Sequence, residues 1–109
     1  RDILHTDTCA VLLLDDDRKD LVARAALGIE EEVEQGVRVP MGRGFAGRVG
    51  ATATPVIIDD LDDADVVNPI LRQKGIKSML GVPLVDRGQI VGVLHVGTLT
   101  PRKFRSLSR

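Results

Sequence analysis

Apolar residues concentrate in two neighbouring runs toward the C-terminal end of the chain. The first holds Met79, Leu80, Val82, Leu84 and Val85, and the second Ile90, Val91, Val93, Leu94 and Val96. Between them, Asp86-Arg87-Gly88 has the chemistry of a hairpin turn, with Gly88 free to take positive φ in a three-residue loop with a G1 bulge. Both runs are nearly continuous rather than alternating, so the pattern predicts a hairpin covered on both faces at the centre of a sheet. With Val85 paired to Gln89, one face carries Met79, Gly81, Pro83, Val91, Val93 and His95. The other carries Leu80, Val82, Leu84, Ile90, Leu94 and Val96 and, being wholly aliphatic, suits the packing of helices. Glycine, a flexible methionine and a histidine give the first face room and polarity for a ligand.

The rest of the chain supplies shorter elements. Cys9 to Leu14 reads as a strand ended by Asp15-Asp16-Asp17, and Leu21 to Gly28 as its hairpin partner. Ile29 to Gln35, with four glutamates, reads as a short solvated helix stopped by Gly36. Val37, Val39 and Met41 alternate around Arg38 and Pro40, the pattern of a short edge strand. Gly42 to Gly50 is a glycine-rich turn into a short helix, Pro55 to Asp59 an extended segment, and Asp60 to Asp65 an acidic loop. Asn68-Pro69 opens a helix through Lys74 that Gly75 closes.

Composition narrows the class. The 109 residues form one domain, 1–109, with 43% hydrophobic and 28% charged residues, as expected for a globular chain. A formal net charge of −1 leaves no footprint for nucleic acid or a direct membrane contact. The lone Cys9 excludes an internal disulfide framework and fits a reducing, cytoplasmic compartment.

Three motifs carry chemistry at first sight. Gly42, Gly44 and Gly47 match G-x-G-x-x-G, but Arg38 and Pro40 interrupt the strand before them, and Gly50, Thr52 and Pro55 shorten the helix after them. Dinucleotide binding needs a buried parallel strand and a full crossover helix there, so the glycines are read as a tight turn and a close helix approach. The aspartates from Asp59 to Asp65 lack the glycine and glutamate of a calcium loop, since an EF-hand started at Asp60 has Asp65 and Leu71 at those positions. Cys9 opens an apolar strand, the serines have no nucleophile-elbow context, and Cys and His show no metal-ligand spacing. No catalytic residue and no metal site is expected.

The order of these elements resembles the GAF domain, a small-molecule sensory module related in shape to the PAS domain. The resemblance runs from about Thr8 to Phe104. It rests on Gly44-Phe45-Ala46-Gly47, Pro55-Val56-Ile57-Ile58-Asp59, Gly81-Val82-Pro83-Leu84 and Gly92-Val93-Leu94 in that spacing. It implies an α+β fold: a central antiparallel sheet with helices on one face and, on the other, a ligand pocket roofed by the loops and short helices between Gly42 and Gly75. It also implies an output domain in the same polypeptide, such as a histidine kinase, a phosphatase or a cyclase. Family members begin and end with long helices, of which Arg1–Thr6 and Arg105-Ser106-Leu107 would be remnants.

Specialised branches of the family leave no trace. The position near Gln73, where haem-binding members place an axial histidine, has none nearby. Bilin-binding members carry a cysteine beside a histidine in the roof, whereas Cys9 lies in the first strand. The cyclic-nucleotide signature is missing after Asn68, and free methionine-sulfoxide reductases of this fold use several cysteines. The expectation is therefore a non-enzymatic sensory domain that binds an unidentified small molecule. Its candidate pocket is Met41, Phe45, Val49, Ile70, Met79 and His95. The alternative is a ligand-free module that dimerises and relays a signal, and in either case the aliphatic sheet face is expected to meet helices or a second subunit of a homodimer.

Overall fold

The computed structural model describes residues 7–61 and 69–100. Most of the acidic loop and both terminal segments, including the expected helix remnants, lie outside the described residues. Within them the chain forms one six-stranded sheet in which every pairing is antiparallel. Its strands are β1 (Thr8–Leu14), β2 (Asp20–Leu27), β3 (Arg38–Pro40), β4 (Val56–Ile58), β5 (Ser78–Asp86) and β6 (Gln89–Thr98), in the order β3-β2-β1-β6-β5-β4. Three short helices interrupt them: α1 (Glu31–Glu34), α2 (Gly44–Thr52) and α3 (Pro69–Gln73). This is the α+β architecture expected from the order of elements, with the apolar hairpin β5–β6 inside the sheet.

The hairpin turn differs from expectation. Asp86 pairs with Gln89, leaving a two-residue turn in which Arg87 (φ 53°) and Gly88 (φ 79°) are both left-handed. Such turns match the right-handed twist of the flanking strands. The irregularity lies further in: Leu84 pairs with Gly92 and Val85 with Ile90, so Val91 is the extra residue of a bulge. Beyond it, Gly81 faces His95 and Pro83 faces Val93. That register is displaced by two residues from the expected one, and an even displacement leaves each side chain on its face. The exceptions are at the tip, where Ile90 is the partner of Val85 and Val91 no longer belongs with Met79.

Among the described residues, the buried core lies on one face of the sheet. Ala10, Leu12, Leu21, Ala23, Val39, Met79 and Val93 meet Ile29, Phe45, Ala46, Val49, Leu61, Ile70, Leu71 and Ile76. α2 and α3 send their buried residues into this cluster, and α1 reaches the same face through Glu32. The described helices thus sit on the face expected to hold the pocket. On the opposite face Leu80, Val82, Leu84, Leu94 and Val96 are half-buried, while Leu13 and Leu27 are 38% and 71% exposed.

Local chemistry holds the elements in place. Asp15 accepts from the Lys19 and Asp20 amides across the β1–β2 turn (3.2 and 3.4 Å), and Arg38 of β3 pairs with both Asp15 and Asp20. α2 packs closely on the segment before it because Gly47 has no Cβ; one would run into the Pro40 carbonyl. The helix ends at Ala53, whose φ of 55° is left-handed. Among the described residues, no helix is long and apolar enough to cross a membrane.

Candidate functional site

The six candidate pocket residues converge on the inner face, but not as one ring. Gly81 and His95 are opposite one another on β5 and β6. A Cβ at Gly81 would lie 2.7 Å from Phe45 Cζ and 3.0 Å from Val49 Cγ2, so α2 presses onto the space that glycine leaves. The Phe45 and His95 rings meet edge to face, with centroids 6.1 Å apart and planes at 76°, the arrangement that aromatic quadrupoles favour. Met79 lies two residues along β5 from Gly81 and is fully buried, and Ile70 joins the same core from α3. Met41, in the segment between β3 and α2, is half-buried and packs elsewhere, its Sδ beside Gly50 of α2.

Glu32 is the residue that the sequence pattern concealed. In a run of four glutamates it reads as solvated, yet its side chain is 1% exposed and that of His95 2%. Their Oε1 and Nε2 atoms lie 3.3 Å apart. The physical reason is helical spacing. Ile29, three residues earlier, is fully buried, and residues three apart share a helix face. That i, i+3 relation was the available signal.

The neighbouring glutamate points the other way. Glu31 meets Lys74, just past α3, at 2.8 Å. The hydrogen bond from Lys74 holds the Glu31 carboxyl below its usual range, and the same bond raises the Lys74 ammonium. α1 therefore carries one acid to the middle of the sheet and one to the segment that leaves the roof.

Two buried polar atoms on the inner face have no hydrogen-bond partner: His95 Nδ1 and Thr8 Oγ1. Thr8 pairs with Gly97, and its hydroxyl lies over that glycine, where a Cβ would be 2.8 Å from Oγ1. Among the described residues no three His, Cys, Asp or Glu side chains are grouped to share a metal ion. Cys9 lies on the outer side, where it helps to line an apolar depression of about 120 Å³ with Val11, Ala25 and Leu27.

A curled antiparallel sheet with short helices gathered on one face defines a small α+β domain of the kind the sequence resembles. The GAF domain family model matches residues 1–108, and the chain belongs to that family. Among curated proteins it is similar to a Nif-specific regulatory protein from Herbaspirillum seropedicae, at 33% identity over 98 residues. That match covers 84% of this chain and 18% of the relative. It is also similar to the phosphoenolpyruvate-dependent phosphotransferase system protein of Escherichia coli, at 30% identity over 80% of this chain and 12% of the relative. The chain thus spans less than a fifth of either protein. Among solved structures, the GAF domain of a phosphoenolpyruvate-protein phosphotransferase from Coxiella burnetii superimposes with a TM-score of 0.78 at 24% identity. The superposition covers 96% of this chain and 66% of that one, and the likeness is one of fold. GAF domains with sequences like this one therefore occur in regulatory proteins.

Proposed function

We propose that this GAF domain is the sensory part of a longer regulator. It binds a small molecule on the inner face of the sheet and passes the change to an output domain in the same polypeptide. The observation that carries the reading is the Glu32–His95 pair, a fully buried polar contact beside an apolar core and beneath short helices. Buried polar pairs cost desolvation and are a poor way to gain stability, and a pocket with a few placed polar groups is the usual form of a small-molecule site. The domain has no catalytic role in this reading, and its ligand is neither haem, bilin nor a cyclic nucleotide. The regulatory relatives, in which the matched segment is a small part of the length, support the modular role.

A second reading, self-association without a ligand, draws on the outer sheet face. Leu13 and Leu27 are exposed there beside the apolar depression, a surface suited to a second copy of this chain in a homodimer. Thermal-shift screening against a metabolite panel, followed by native mass spectrometry, separates the two. A saturable rise in Tm with a retained mass supports the sensor. No response across the panel, with a dilution-resistant dimer in light scattering, overturns it in favour of the relay.

A further inference from the structure

We infer that residues 29–35 are a lid, a self-contained turn of chain that swings off the sheet between two glycine hinges and is held shut by the Glu31–Lys74 pair. The inference concerns how the sheet is covered. It stands apart from the sensory reading, because the opening needs no ligand.

The backbone sets the bounds of the lid. Gly28 and Gly36 flank it with φ of 77° and 63°, left-handed values that favour glycine. A Cβ at Gly36 would meet nothing within 4 Å, so the chain is free to turn there. Between the glycines the backbone closes on itself. The six amides from Glu32 to Val37 all donate to carbonyls of residues 29–33. The sheet resumes at Val37, whose carbonyl accepts from the Ala23 amide. None of those six bonds has to break for the segment to leave the sheet.

Side chains hold the lid down. Within it the buried residues are Ile29 and Glu32, while Glu30, Val33, Glu34 and Gln35 are exposed. A segment with so little buried apolar surface opens at a lower free energy than the strands. Opening carries the Glu32 carboxylate away from His95 Nε2, which lies 3.3 Å from it when the lid is shut. The catch is at the rim. Glu31 meets Lys74 at 2.8 Å, and Glu30 and Glu34 of the same segment add to the negative field there. Lys74 is positioned by its amide, which donates to the Ile70 carbonyl at the end of α3. Both charges of the pair are solvent-exposed in part, so salt weakens the catch. Once detached, a single turn is too short to stay helical, and its amides exchange with water.

Hydrogen exchange on the 109-residue chain, followed by NMR across a series of low urea concentrations, tests this. The amides of Val33, Glu34, Gln35 and Gly36 should share one opening free energy, below that of Val93 and Leu94 and with little urea dependence. Lys74→Gln or Glu31→Gln should quicken these amides about two- to fivefold, the range for an exposed pair. The strands should quicken by the same factor, because the contact is lost in both openings. About 0.5 M sodium chloride should act in the same direction on the wild type and have little further effect on Lys74→Gln. Acylation of His95 by diethyl pyrocarbonate, located by peptide mass, should rise with the lid amides and share their weak urea dependence. Four results each overturn the inference: lid amides with the strands' protection and urea dependence, unequal opening energies among the four, strands that respond to Lys74→Gln while the lid does not, or His95 acylation that follows global unfolding. The sensory reading is judged separately, by the metabolite screen.

Discussion

The Glu32–His95 contact makes a quantitative demand on stability. Both side chains are essentially excluded from water, at 1% and 2% exposure. His95→Phe keeps a ring against Phe45 but removes the imidazole contact with Glu32, a loss of about 1.5–3 kcal/mol for a hydrogen bond to a charged group. Glu32→Leu leaves both ring nitrogens of His95 unmatched, about 1–3 kcal/mol. The double variant Glu32→Leu/His95→Phe replaces the pair with apolar groups of similar size, which is close to neutral when shape is kept. Its cost should fall about 1–3 kcal/mol below the sum of the single changes, roughly 2.5–6 kcal/mol. Any other contact of the Glu32 carboxylate is lost in both Glu32→Leu and the double variant, so it cancels in the cycle. A domain of this size has about 5–15 kcal/mol in all, so His95→Phe is expected to fold with a clearly lower urea midpoint. The chain has no Trp and no Tyr, so urea melts are followed by far-ultraviolet circular dichroism, with the slope checked for constancy. A double variant that loses the full sum would refute the reasoning, because the two groups would then act independently.

Other expectations follow from single contacts. Gly81→Ala places a methyl 2.7 Å from Phe45 Cζ and 3.0 Å from Val49 Cγ2, and should cost about 1–3 kcal/mol by overpacking, read as a lower urea midpoint at unchanged slope. The Glu31–Lys74 pair has a defined pH window. Glu31 is held below 4.5, so its contribution is complete above that value and disappears as pH falls through the folded-state value; Lys74 is raised above 10.5, so its share is complete below that value and disappears as pH rises beyond it. Carbon-detected NMR titration of the two side chains checks both displacements, and Lys74→Gln should return Glu31 to the ordinary carboxylate range. Haem titration should give no Soret band; one that appeared and was abolished by His95→Ala would make His95 a haem ligand.

Sheet faces were legible in the sequence because side-chain direction has a period of two, and this survived a register displaced by two residues. The turn itself was less legible. Asp86 is as suitable for a turn as for the last strand position, and only the pairing with Gln89 decides. The bulge at Val91 had one mark in the sequence, Gly92 beside it, since an isolated glycine within a strand signals a bulge or a close backbone approach. Phe45 was visible beside its glycines, and the fit against Gly81 follows from having no Cβ there. Glu32 was hidden for a different reason. Local charge patterning argues for exposure and outweighs the i, i+3 relation to Ile29, and its partner His95 is 63 residues away in the chain. The family was legible because it depends on the order of several short motifs, each weak alone.

α1 is one turn long, and a helix of that length has no stability of its own. Its position is set by what it is tied to: Ile29 buried just before it, Glu32 bonded to β6, and Glu31 bonded to the residue after α3. The two side-chain ties differ in kind. Glu31 and Lys74 are each more than a third exposed, where such a pair contributes little and can break and re-form freely. Glu32 and His95 are sealed from water, where solvent does not replace a lost hydrogen bond. The strong tie therefore anchors α1 to the sheet, and the weak one links α1 to the segment between α3 and β5. On the proposed sensory reading, an occupant of the inner face is expected to disturb the strong tie, and a change in the Lys74 side-chain signal on binding is the measurement that checks it.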